Sequence, residues 1–174
     1  MNRNKVVSSA AACLVAAAAM SGVAPTAHAA VVQVCAVNEV VAFSEPVTNT
    51  PKTVSVTVQG QLFNCTSGSA ATGTYTETAT LPDYTCTSLF YQGAGTRVFT
   101  WTDPAVPAST YSYNRTSSRV GANIVIVLLG SIASGTFAAE PAKMQLTALN
   151  PDPISCATTG VSRLTLLGAL TVGV

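Results

Sequence analysis

Residues 53–62, TVSVTVQGQL, set Val54, Val56, Val58 and Leu62 in alternation with Thr53, Ser55, Thr57 and Gln59. A period of two is what a β-strand shows when one face is buried and the other is wet. Residues 73–81, GTYTETATL, repeat the pattern, with Thr74, Thr76, Thr78 and Thr80 on one face and Tyr75, Glu77, Ala79 and Leu81 on the other. A carboxylate on that second face is awkward in a core and indicates a rim or lumen position.

Further strands are expected over 96–102 (TRVFTWT), 110–115 (TYSYNR), 143–149 (KMQLTAL) and 163–172 (RLTLLGALTV). The run IVIVLL at 124–129 is β-branched and too short for a bilayer helix, and it suggests a strand buried on both faces. Turn clusters such as TSGSAATG, QGAG, DPAVPAS and NPDP separate these segments. No stretch of ten residues carries a helical stripe. The expectation is all-β: a single antiparallel barrel or sandwich of about 8–10 strands.

Residues 1–29 have the make-up of an export signal. Arg3 and Lys5 precede the apolar stretch AAACLVAAAA, and Ala27-His28-Ala29 supplies the small-x-small pattern for cleavage before Ala30. Cys13 lies within that apolar stretch and is not expected to carry lipid. The division is thus a signal peptide, 1–29, and one all-β domain, 30–174, which places the protein outside the cell. Of eight basic residues two go with the signal, leaving six against seven acidic ones. A chain so nearly neutral has no basic patch for phosphate backbones, so nucleic acid is not an expected partner. The signal also takes His28, the only histidine.

Four cysteines stay in the exported part: Cys35, Cys65, Cys86 and Cys156. An even count in an oxidising compartment reads as two disulfides. Their spacing is wrong for zinc, and without a histidine there is no obvious base for a thiolate nucleophile. The expected pairing is Cys65–Cys86 around a hairpin, with Cys35–Cys156 tying an early segment to a late one.

The same lack of histidine argues against a serine hydrolase, and no GxSxG, calcium loop or dinucleotide fingerprint occurs. No enzyme activity and no cofactor are expected. A glycosidase needs only two carboxylates, and Glu39, Glu45, Glu77, Asp83, Asp103, Glu140 and Asp152 are simpler as rim or turn residues. Phe99 with Trp101, and Tyr111 with Tyr113, share strand faces. Each pair is a candidate sugar-stacking platform or, more ordinarily, part of the core.

The stretches TVSVTVQGQLFNCTS, GTYTETATLPDYTC, ASGTFAA and MQLTALNPDPISC resemble a group of small secreted actinobacterial β-rich proteins with similarly placed cysteines. The resemblance implies export and an all-β fold, and it brings no active site with it. The expected role is a secreted, non-catalytic β-domain for binding or assembly, not integral to a membrane. Its expected partners are a cell-envelope component, a polysaccharide or copies of itself, because strands poor in lysine leave edges open to pairing. The alternatives are an inhibitor of extracellular proteases that presents LNPDPISC as a substrate mimic, and a small glycoside hydrolase. A membrane-inserted barrel is a further class, but the aromatic girdles it needs are sparse.

Overall fold

The computed structural model describes residues 31–173, so the proposed signal at 1–29 and its cleavage point lie outside the described residues. Eight strands follow one another around a closed barrel: β1 (Gln33–Val47), β2 (Lys52–Phe63), β3 (Gly73–Tyr84), β4 (Gly93–Trp101), β5 (Ser109–Val120), β6 (Asn123–Ser134), β7 (Pro141–Leu149) and β8 (Val161–Val172). Each is antiparallel to the next, and β1 closes on β8 from Gln33↔Val172 to Val47↔Val161. Closure removes the outer edges that an open sheet would expose, except where β3 and β4 part beyond two paired residues.

Alternation fixes which side chains line the inside. Val54, Val56 and Leu62 on β2 are buried, as are Ile124, Ile126 and Leu128 on β6. The expectation that 124–129 is buried on both faces is corrected, since Leu129 is 59% exposed and Val125 and Val127 are only half-buried. A barrel wall has one interior, and the outward residues of β6 meet solvent. β1 was not among the segments singled out from the sequence. Its inward Cys35, Val37 and Phe43 alternate with outward Val34, Ala36 and Val40, which are also apolar, so the period is hidden.

An eight-stranded barrel is just wide enough to be filled by side chains or to hold one small ligand. Here the lower half is filled. Phe99 and Tyr111 stack at 5.8 Å between ring centres, and Tyr75 meets Phe99 edge-on at 5.7 Å. Two inward glycines make room for tyrosines on neighbouring strands: Gly60 opposite Tyr75, and Gly95 opposite Tyr113. A Cβ at either glycine would collide with the facing ring.

The lower end is sealed by the 64–72 loop. Gln33, fully buried, donates from Nε2 to the Ala70 carbonyl at 2.9 Å and accepts from the Ser67 N–H at 2.6 Å. The Trp101 indole N–H donates to Ser109 Oγ at 2.9 Å, and Ser109 donates onward to the Thr136 carbonyl at 2.7 Å. Over the upper end lie a 3₁₀ turn (Cys86–Phe90) and a short helix, α1 (Pro153–Ala157), which begins at an Asp152 cap.

The disulfides are Cys35–Cys65 and Cys86–Cys156, with Cα–Cα distances of 4.1 and 6.1 Å. The expected Cys65–Cys86 and Cys35–Cys156 pairing is therefore corrected. Strand direction explains why. β3 runs from the lower end to the upper, and its 12 residues separate Cys65 from Cys86 by about 40 Å of extended chain. Cys65, just past β2, lies beside the start of β1, so Cys35 is its neighbour. Cys86 and Cys156 meet above the barrel, between the 3₁₀ turn and α1.

Candidate ligand-binding lumen

Above the aromatic layer the barrel is not filled. A cavity of about 290 Å³ lies between that layer and the cover formed by Phe43, Tyr84 and Leu89. Its walls are mainly apolar, including Val56, Ile126, Leu146 and Leu166. Polar groups gather where it meets the filled half, at Glu39, Glu77, Arg97 and Tyr113, and a second guanidinium, Arg115, lines it near the cover beside Leu89 and Tyr91.

Arg97 on β4 organises this floor. Its Nη1 donates to Glu39 Oε2 at 2.9 Å and to the Met144 sulfur at 3.0 Å, while its Nε pairs with Glu77 Oε1. The Tyr75 hydroxyl donates to the same Glu39 oxygen at 2.6 Å, and the guanidinium carbon sits 4.1 Å from the centre of the Tyr75 ring. Arg97 and Glu39 are each about 95% shielded from solvent, whereas the Glu77 side chain is 23% exposed. Burial works against the Arg97 charge, but Glu39, Tyr75 and Glu77 together outweigh it, so the guanidinium holds its proton more tightly than usual.

The placement of Glu39 corrects the view of it as a rim or turn residue, because it is 4% exposed inside the barrel. Glu77 lies in the lumen, as its face of β3 indicated. The sequence reading did not single out Arg97. The available signal was a lone arginine in phase with Phe99 and Trp101 on an otherwise apolar face, opposite a strand whose inward face carries a glutamate.

The wall beside this floor is incomplete. β3 and β4 pair only at Gly73↔Trp101 and Thr74↔Thr100. Above these residues no backbone hydrogen bond joins the two strands, and the Arg97–Glu77 side-chain pair bridges them instead. Along the other long strands the cavity touches alternate residues, as at Glu39, Val41 and Phe43 or at Ile124, Ile126 and Leu128. On β3 it touches Glu77, Thr78 and Ala79 in succession, and on β4 Ala94, Gly95, Thr96 and Arg97. Contact with inward and outward residues of both strands means that the void passes through the wall at this seam. Pro82 on β3 has no N–H to give, and Asp83 takes a positive φ of 50°, so β3 ends irregularly as it approaches the 3₁₀ turn.

Of the aromatics singled out from the sequence, Phe99 and Tyr111 are fully buried and Trp101 nearly so. They form the layer under the cavity, and neither pair is an exposed platform. Tyr113 is half-buried and lines the cavity, with its hydroxyl 3.4 Å from Glu77 Oε2. The four cysteines stand outside the site as two crosslinks.

Burial pushes the Tyr84 and Tyr113 phenols up to about 12, with Glu77 adding to the rise at Tyr113. Tyr75 and Tyr111 are also raised, again chiefly by burial. Unfolded phenols ionise near pH ~10. Below that value both states are protonated and the stabilisation is complete. Between about 10 and 12 the unfolded chain releases its protons first, so stability falls as pH rises through this window. In an alkaline titration the phenolate absorbance of Tyr75, Tyr84, Tyr111 and Tyr113 and the loss of β circular dichroism should rise together. If four tyrosines ionised near pH ~10 with the fold intact, their burial would be disproved.

No family model, curated protein or solved structure matches the chain.

Proposed function

We propose that this protein is a secreted, non-catalytic binding barrel whose ligand is a small, largely apolar molecule held in the lumen. The supporting observation is the 290 Å³ cavity, with apolar walls and a small polar floor, that reaches solvent through the β3–β4 seam. A concave apolar site with few polar groups suits a small molecule better than an extended polymer. Two disulfides fit an oxidising compartment, in keeping with the signal read at 1–29 and the resemblance to secreted actinobacterial β-rich proteins.

Other readings find less support. A glycosidase needs room for a glycosidic bond between its two carboxyl groups, and here the Arg97 guanidinium fills the space between Glu39 and Glu77. A protease-inhibiting loop would be extended, whereas residues of LNPDPISC turn into α1. Among the described residues no helix is long and apolar enough to cross a membrane. A lipid-facing barrel needs an apolar outer band about 25 Å tall. The outward residues of β2 and β3 are instead hydroxyls and amides, among them Thr53, Ser55, Gln59, Thr74, Thr76 and Thr78.

Calorimetry with n-octanol tests the proposal directly. One molecule should bind per barrel, and Ala148→Phe, which adds a ring at a 5% exposed wall position, should weaken binding at least about tenfold, or ~1.4 kcal/mol. Because the ring enters an existing void, the melting transition should change little. Absence of binding, or binding indifferent to Ala148→Phe, would refute a luminal site.

A further inference from the structure

Resting on that reading, we infer that the lumen selects ligands whose polar end is a cation, with a protonated aliphatic amine as the simplest case. The argument starts with the charges at the floor. Two carboxylates, Glu39 and Glu77, face one guanidinium, Arg97. At the floor the formal sum is one negative charge in excess; the other cation lining the cavity, Arg115, lies by the cover, where it donates to the Leu89 carbonyl at 3.3 Å and sits 4.0 Å from the centre of the Tyr91 ring.

The two carboxylates are not equivalent. Glu39 Oε2 accepts from both Tyr75 and Arg97 and is shielded from the cavity's solvent. Glu77 spends Oε1 on Arg97, while its Oε2 has only a 3.4 Å contact from the Tyr113 hydroxyl. That oxygen belongs to a side chain that is 23% exposed and lines the cavity. Glu39 Oε1 also lacks a partner among the described residues, but its side chain is 5% exposed, so Glu77 Oε2 is the more accessible acceptor. Arg97 is held by both carboxylates and by the Met144 sulfur, and it is 4% exposed, so it is poorly placed to recruit an anion.

The surroundings favour the same sign. The ring of Tyr113 flanks Glu77 and lines the void, and aromatic faces attract cations; the Tyr91 ring is already taken by Arg115. An anionic end would instead meet the surplus carboxylate in a space of low dielectric, where like charges repel strongly. A neutral hydroxyl would gain one hydrogen bond and none of the charge attraction.

The test compares n-octylamine, n-octanol and n-octanoate near neutral pH, by calorimetry on the full exported protein. The amine should bind about tenfold tighter than the alcohol, and the carboxylate should bind weakest. Glu77→Gln should erase the advantage of the amine over octanol, bringing the ratio of their affinities to within about twofold. Equal affinities for the three ligands, or a preference for octanoate, would overturn the charge selection while leaving the luminal site standing. A preference for the amine that survives Glu77→Gln would overturn the assignment to Glu77. Failure of all three to bind would remove both readings. Should Glu77→Gln fail to fold, the ranking of the three ligands on the native protein still decides the sign.

Discussion

Replacing Arg97 with methionine is expected to cost the barrel about 4 kcal/mol, because two carboxylates are left at the lumen floor without their cation. A domain of this size has roughly 5–15 kcal/mol to lose, so the variant should melt far below the native protein or fail to accumulate. The reason is asymmetric. A buried ion pair is not strongly favourable against an apolar replacement of the whole group, but removing one member leaves the others desolvated and uncompensated. Glu39, 4% exposed, suffers most, since Tyr75 is its only other hydrogen-bond donor among the described residues. Arg97→Met combined with Glu39→Gln should therefore recover part of the loss, and the double-mutant cycle should show strong coupling. Urea denaturation measures both. A single Arg97→Met variant as stable as the native protein would show that the cluster contributes nothing to the fold.

Loss of the two crosslinks should have an effect of similar size. The disulfides close loops of 30 and 70 residues, and the chain-entropy model gives each about 4 kcal/mol. Cys86→Ser with Cys156→Ser should lower the melting temperature by about 10 °C, and reduction of both bonds should leave little folded protein. Peptide mapping without reduction should recover Cys35 joined to Cys65 and Cys86 to Cys156. The second bond carries a further consequence, because it ties the 3₁₀ turn bearing Leu89 to α1. Cutting it frees the cover over the cavity, so octanol should leave faster from the Cys86→Ser, Cys156→Ser variant than from the native barrel. An unchanged dissociation rate would mean that ligands use only the seam.

Much of the fold was legible because β2 and β3 alternate so clearly, with threonines outside and valines or tyrosine inside. The barrel itself was less so. Alternation assigns a residue to a face, but a sandwich and a barrel present the same faces, and the choice depends on whether β1 pairs with β8. β1 was hidden by apolar residues on both its sides. The disulfide pairing failed for a related reason. Spacing along the chain says nothing about strand direction, and direction puts Cys65 and Cys86 at opposite ends of β3. Within the site, Glu77 could be placed because it interrupts an inward face. Glu39 and Arg97 could not, since a charge inside a barrel makes sense only once its partners on other strands are known. The aromatics were readable as core, but whether a void lay above them depended on how far the side chains of eight strands fill one shared interior.

The seam gives the molecule an uneven compliance. Elsewhere, widening the barrel means breaking backbone hydrogen bonds, but along most of β3 and β4 none joins the two strands. Above the Arg97–Glu77 pair a bulkier guest can push these strands apart without breaking a backbone hydrogen bond, whereas the charged floor stays anchored by Arg97. Girth should consequently be tolerated over a range of hydrocarbon shapes, and discrimination should concentrate at the one end of the guest that touches Glu77.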